Sequence, residues 1–153
     1  MDHTQTLSDL TQDLLTHTGF GSEVEIQARY DPNENIYQVS LQTPSPAVLI
    51  GYHGETLSAL QFILGQHVHT KTGEWLNLSV NINDYKERRE QSLKALADSV
   101  VNQTLTTGIP HALPPLPASE RRIVHLYLAD HPQVTTSSQG IGRSRSVVIS
   151  PKA

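Results

Sequence analysis

The chain has 153 residues, no cysteine and a formal net charge of −4, a length that suits one medium domain or two small ones. Disulfides and thiolate chemistry are excluded; no apolar run nears the ~20 residues of a bilayer span and no leader pattern follows Met1-Asp2-His3, so a cytoplasmic protein with no membrane partner is expected. The charge is divided: residues 1–84 carry two basic side chains against ten acidic ones, and residues 85–153 carry nine against five, a distribution that matters because phosphate responds to local potential.

Leu7, Leu10 and Leu14 recur at helical spacing ahead of Gly19 and Gly21, which predicts an amphipathic helix over 4–18. Val24, Ile26, Ala28 and Tyr30 then alternate with polar residues, Asp31-Pro32-Asn33-Glu34-Asn35 supplies turn chemistry, and Tyr37, Val39 and Leu41 resume the alternation. That pattern predicts a β-hairpin. Pro44-Ser45-Pro46 ends the second strand, Ala47 to Ile50 fits a short helix stopped by Gly51, and Leu57, Leu60, Ile63 and Leu64 mark a longer helix. A third strand places Leu76, Leu78, Val80 and Ile82 inward.

From Asp84-x-x-Glu87, which resembles a capping box, a long helix carries Leu93, Leu96, Ala97, Val100, Val101 and Leu105 on one face and ends at Gly108. Pro110 to Pro117 is extended, Pro117 suits the first position of a further helix reaching about Ala129, and Asp130-His131-Pro132 closes it. Residues from Val134, and Arg143 to Ile149, predict two strands joined by a Ser/Gly-rich loop. The fold class expected is α+β: an α-β-β-α-α-β module, its three-stranded sheet covered by helices on one face, followed by a small α/β module.

Two motifs carry chemistry. Gly51-Tyr52-His53-Gly54 lies between two predicted helices, where glycines let a nucleic-acid backbone approach and the following helix offers free N–H groups to a phosphate. Alone the pattern is common and fits an ordinary helix–helix turn. Arg121 and His125 are four apart on a helix and therefore share a face. A guanidinium forks onto phosphate, and an imidazole donates a hydrogen bond or stacks. Taken in isolation that pair fits a solvated cation beside a half-buried histidine.

The setting of each motif narrows these readings. Gly-x-x-Gly within an α-β-β-α-α-β module resembles the KH domain of prokaryotic topology. Its middle residues usually include Lys or Arg, and here they are Tyr52 and His53. The run Pro117-Ala118-Ser119-Glu120-Arg121-Arg122-Ile123-Val124-His125 after a long helix, with Ser146 to Lys152 as a closing strand, closely resembles the R3H domain. KH followed by R3H is the architecture of the bacterial Jag (KhpB) family, and the resemblance covers roughly residues 20–152. It implies a KH-type domain at 21–84 and an R3H-type domain at 85–153, and the N-terminal helix of residues 1–20, read from its leucine spacing, is expected to pack on the KH-type domain.

The same resemblance implies single-stranded RNA, or single-stranded DNA, as partner. A KH groove would hold about four nucleotides between the Gly51–Gly54 loop and the turn at 31–35. Arg121 and His125 match the R3H pair, and the cellular setting implied is RNA regulation linked to cell elongation or division. Arg122, Lys86, Arg88, Arg89, Arg143 and Arg145 are added as supporting basic surface from charge and position alone. Many Jag proteins carry a further N-terminal domain and linker, whose role is not expected of these residues.

Other chemistries lack their parts. His67-Val68-His69 has no evident third metal ligand. Ser119 and His125 are six apart and point to different sides of a helix, and no nucleophile elbow, Walker loop or dinucleotide fingerprint occurs. A protein without catalysis, cofactor or metal is expected. A rival of another class stays open: an adaptor whose acidic first half pairs with a small KH protein or a second copy, RNA contact being incidental.

Overall fold

The computed structural model describes residues 3–153. The chain forms two compact units, the first ending at Lys86 and the second beginning at Glu87. In the first unit α1 (Thr4–His17) precedes the hairpin β1 (Glu25–Asp31) and β2 (Ile36–Gln42). The short α2 (Pro46–Ile50), a 3-10 turn at Tyr52–Gly54, α3 (Glu55–Thr72) and β3 (Leu78–Ile82) complete it. The sheet order is β1-β2-β3, with β1 antiparallel and β3 parallel to β2. Alternation decides which face is covered: Tyr37, Val39 and Leu41 of β2 are buried together with Val80 and Ile82 of β3. Leu7, Leu10 and Leu15 of α1 and Leu57, Leu64 and Val68 of α3 join the same core.

The second unit takes nearly all of α4 (Tyr85–Thr107), then β4 (His111–Ala112), α5 (Ala118–Leu128), β5 (Val134–Gln139) and β6 (Ser146–Pro151). Its sheet is antiparallel in the order β4-β6-β5. Leu93, Ala97, Val100 and Val101 of α4, Val124 and Leu128 of α5, and Val134, Val147 and Ile149 of the sheet form its core. The architecture is α+β, as the periodicities indicate, with α1, α2 and α3 contributing to the core of the first unit and α4 and α5 to that of the second.

Differences from the sequence reading follow from helical phase and turn chemistry. Leu105, expected inward, is exposed, while Thr104 is fully buried and donates its hydroxyl to the Ile149 carbonyl at 3.4 Å. The buried positions of α4 are Leu93, Ala97, Val100, Val101 and Thr104, and Leu105, one turn beyond Val101, is exposed near the end of the helix. Ile63 is likewise exposed beside buried Leu57, Leu64 and Val68. Pro117 caps α5 from outside with an extended backbone rather than opening it. The strand expected from Arg143 begins only at Ser146: Arg143 sits in a 3-10 turn, Gly142–Ser144, that follows left-handed Gly140, and Arg145 precedes the strand.

Candidate nucleic-acid interface

In the second unit the site is built from one helix and one strand. Residues four apart on a helix rise about 6 Å, and residues two apart on a strand about 6.6–6.8 Å. Side chains at i and i+4 of α5 therefore match side chains at j and j−2 of β5. Arg121 Nη1 donates to the Ser138 hydroxyl at 2.6 Å, and one step on, His125 Nδ1 shares a hydrogen bond with the Thr136 hydroxyl at 2.7 Å. Two rungs result, a guanidinium on serine and an imidazole on threonine.

Arg145 reinforces the first rung. Its Nε donates to the same Ser138 oxygen at 3.0 Å, Nη2 to the Ser138 carbonyl at 3.1 Å, and Nη1 to the Gly140 carbonyl at 2.8 Å. Arg121 Nε is anchored on the Leu116 carbonyl at 3.1 Å. Both Ser138 lone pairs are thus taken by guanidinium N–H groups, which leaves the hydroxyl its own proton to donate. Arg121 retains three of its five N–H donors beyond these bonds and Arg145 two. His125 keeps Nε2, a donor or an acceptor according to the tautomer that Thr136 selects. Half-buried cations, a donating hydroxyl and an imidazole on one surface suit an oxyanion.

The remaining basic residues are dispersed. Arg89 donates from Nε to Glu120 Oε1 at 2.7 Å and from Nη2 to Oε2 at 3.0 Å, and Glu120 is buried. Its fork therefore ties α4 to α5, where the sequence reading placed it on a phosphate-binding surface. Lys86 falls in the first unit, donating to Ser79 Oγ at 2.9 Å and Gln61 Oε1 at 3.3 Å. Arg88, Arg122 and Arg143 are exposed, Arg122 one step around α5 from the Arg121 rung. Thr136 and Ser138 escaped the sequence reading. Their signal is the in-phase position after Val134, which puts both on the strand face that Val134 turns inward.

In the first unit the Gly51–Gly54 loop has three left-handed residues, Gly51 (φ 72), His53 (φ 51) and Gly54 (φ 79). Thr56 fills the space a Gly51 side chain would need. Gly54 is buried against the Tyr85 ring and caps α3. Tyr52 is exposed and meets the His53 ring edge-on at 4.1 Å. Glu55 stands in the first turn of α3. Among the described residues no cluster of His, Cys, Asp or Glu could hold a metal, and no helix is long and apolar enough to cross a membrane.

The R3H domain model matches residues 91–151. The chain is similar to the RNA-binding protein KhpB of Lactiplantibacillus plantarum, 35% identical over 111 residues, covering 72% of this chain and 34% of the relative. KhpB of Bacillus subtilis is 38% identical over 109 residues, 69% of this chain and 52% of the relative. KhpB of Clostridium symbiosum is 29% identical over 150 residues, 97% of this chain and 68% of the relative. The chain thus spans between about a third and two thirds of the length of these relatives.

Proposed function

This chain belongs to the Jag (KhpB) family, and on that premise we propose that it binds single-stranded RNA with a backbone phosphate on the Arg121–His125 rungs. The observation that carries the reading is the convergence of Arg121 and Arg145 on Ser138, beside His125 on Thr136. Each group there donates, or can donate, toward one oxyanion, so the surface recognises backbone rather than base sequence.

The Gly51–Gly54 loop in a KH-type region at 21–84 supplies the second contact. Its glycines pack against Thr56 and Tyr85, so exposed Tyr52 and its neighbour His53 are the side chains it offers, and they stand where a cation would strengthen it. Affinity that depends on salt therefore belongs to the R3H-type region at 85–153. Two modest contacts on one chain gain through effective concentration. RNA regulation connected with cell elongation or division is the cellular setting we assign to this binding, which requires no catalysis.

Fluorescence anisotropy with a short single-stranded RNA across a salt series tests the reading. An Arg121→Ala/His125→Ala variant should bind about tenfold or more weakly, with a shallower dependence of log affinity on log salt. Equal affinity and equal slope would overturn it.

A second reading, a protein-interaction adaptor working through the first unit, is favoured by Phe62 and Ile63, both exposed on α3. A stable complex on a sizing column, combined with no RNA binding at about 0.15 M salt, where exposed charges are largely screened, would select it.

A further inference from the structure

Ile141 stands at the tip of the β5–β6 connection, 88% exposed, the most exposed large hydrophobic side chain among the described residues. Isolated exposed apolar residues are ordinary, but this one is held in place. Gly140 before it has φ +95, and a Cβ there would stand 2.9 Å from the Ser144 carbonyl oxygen, so only glycine fits. Behind it Ser144 returns two hydrogen bonds to the Ile141 carbonyl, from Oγ at 2.8 Å and from N at 3.2 Å.

The same loop is bound to the phosphate-binding rungs. The Arg145 guanidinium reaches the Ser138 hydroxyl and the Gly140 carbonyl at once. Ile141 is the next residue, one Cα step of about 3.8 Å along the chain. A β-branched side chain with few rotamers is thereby displayed on the residue next to the one whose carbonyl Arg145 holds.

We propose that Ile141 is a nucleobase contact: an apolar tip that packs on the face of the base adjoining the phosphate held by Arg121 and Arg145. The proposal rests on the phosphate reading of those rungs. Base faces are apolar and common to all four nucleotides, so the contact adds affinity without sequence preference, as apolar wedges do elsewhere in nucleic-acid recognition. It also distinguishes a base-bearing strand from any other polyanion, which the cations alone do not.

The test compares wild type, Ile141→Ser, Ile141→Trp and Arg121→Ala on single-stranded RNA and on an abasic strand of equal length. Ile141→Ser should weaken RNA binding about fivefold, the loss of a partly buried side chain, and leave the salt slope unchanged. On the abasic strand Ile141→Ser and wild type should bind alike, and Ile141→Trp should bind RNA at least as tightly as wild type. The tip is solvated, so neither substitution disturbs the core. If Ile141→Ser matches wild type on RNA while Arg121→Ala is weakened, the base contact is wrong and the phosphate reading stands. If Arg121→Ala is also unchanged, or wild type binds no RNA, both fall.

Discussion

Glu120 and Arg121 are neighbours in the chain that serve different surfaces of α5. Glu120 heads the row Glu120, Val124, Leu128, whose members are all buried, and its carboxylate receives the Arg89 fork. Arg121 heads the next row, Arg121 and His125, and reaches across to β5. A rotation of about 100° between consecutive residues thus separates the charge paired with α4 from the charge that reaches β5.

The Arg89–Glu120 pair is bidentate and largely removed from water. Breaking it from one side leaves an uncompensated partner, so Arg89→Met should destabilise the protein by about 3 kcal/mol. Glu120→Leu added to that variant should recover part of the loss. Urea unfolding of the two single variants and the double variant gives the coupling energy, and a coupling near zero would show that the pair contributes no interaction.

Ser138→Ala separates orientation from charge at the ligand surface. Both guanidiniums remain, so the slope of log affinity against log salt should stay that of wild type. Affinity itself should fall about threefold to tenfold, because the shared acceptor that aligns the two forks is lost. Anisotropy at three or more salt concentrations reads both quantities, and a changed slope would show that the hydroxyl does more than orient.

Gly51 has φ 72 and ψ −171, a region essentially closed to other residues, and Thr56 occupies the volume its Cβ would take. Gly51→Ala should destabilise the chain by about 1–3 kcal/mol. Gly54 is left-handed with a Cβ position 3.2 Å from Tyr85 Cε1, and Gly54→Ala should cost less. Thermal unfolding of both variants ranks them, and an equal or reversed order would refute the account of the loop.

Tyr127 donates its hydroxyl to both carboxylate oxygens of Asp98 at 3.0 Å. That hydrogen bond, then partial removal from water, then the Asp98 charge raise its pKa above the ordinary value of 10.0, while nearby Lys94 lowers it. A raised pKa means the bond stabilises the fold fully below the ordinary tyrosine range and is lost as pH climbs through the folded value. NMR titration of the tyrosine rings should therefore find Tyr127 ionising above the usual range, and Asp98→Asn should lower its pKa toward it. An unshifted Tyr127 in the wild type would contradict the contact.

The regular elements were legible in the sequence because their apolar periods are strong, as in Val39 and Leu41 facing Val80 and Ile82. That Arg121 and His125 share a face was legible as a helical repeat, while their candidacy as a site came from the resemblance of the surrounding run to the R3H domain. The role of Arg89 could have been read from phase, since it precedes Leu93 and Ala97 in fours, as Glu120 precedes Val124 and Leu128. The distinction between Arg88 and Arg89 was lost when both were counted only as charge. Thr136, Ser138 and the Gly140 turn were not legible, because hydroxyl residues carry no hydrophobic signal and their partners come from a different element.

The two rungs between α5 and β5 behave as a vernier. Each step advances about 6 Å on the helix and about 6.6–6.8 Å on the strand, so the scales drift apart by more than half an ångström per step. The next graduations are Ala129 and Val134, where polar side chains give way to a methyl group and a buried valine. The scale therefore ends after two marks, and the reach of this surface is set by the apolar side chains that follow on both elements. A longer footprint requires another element of the chain, not an extension of this one.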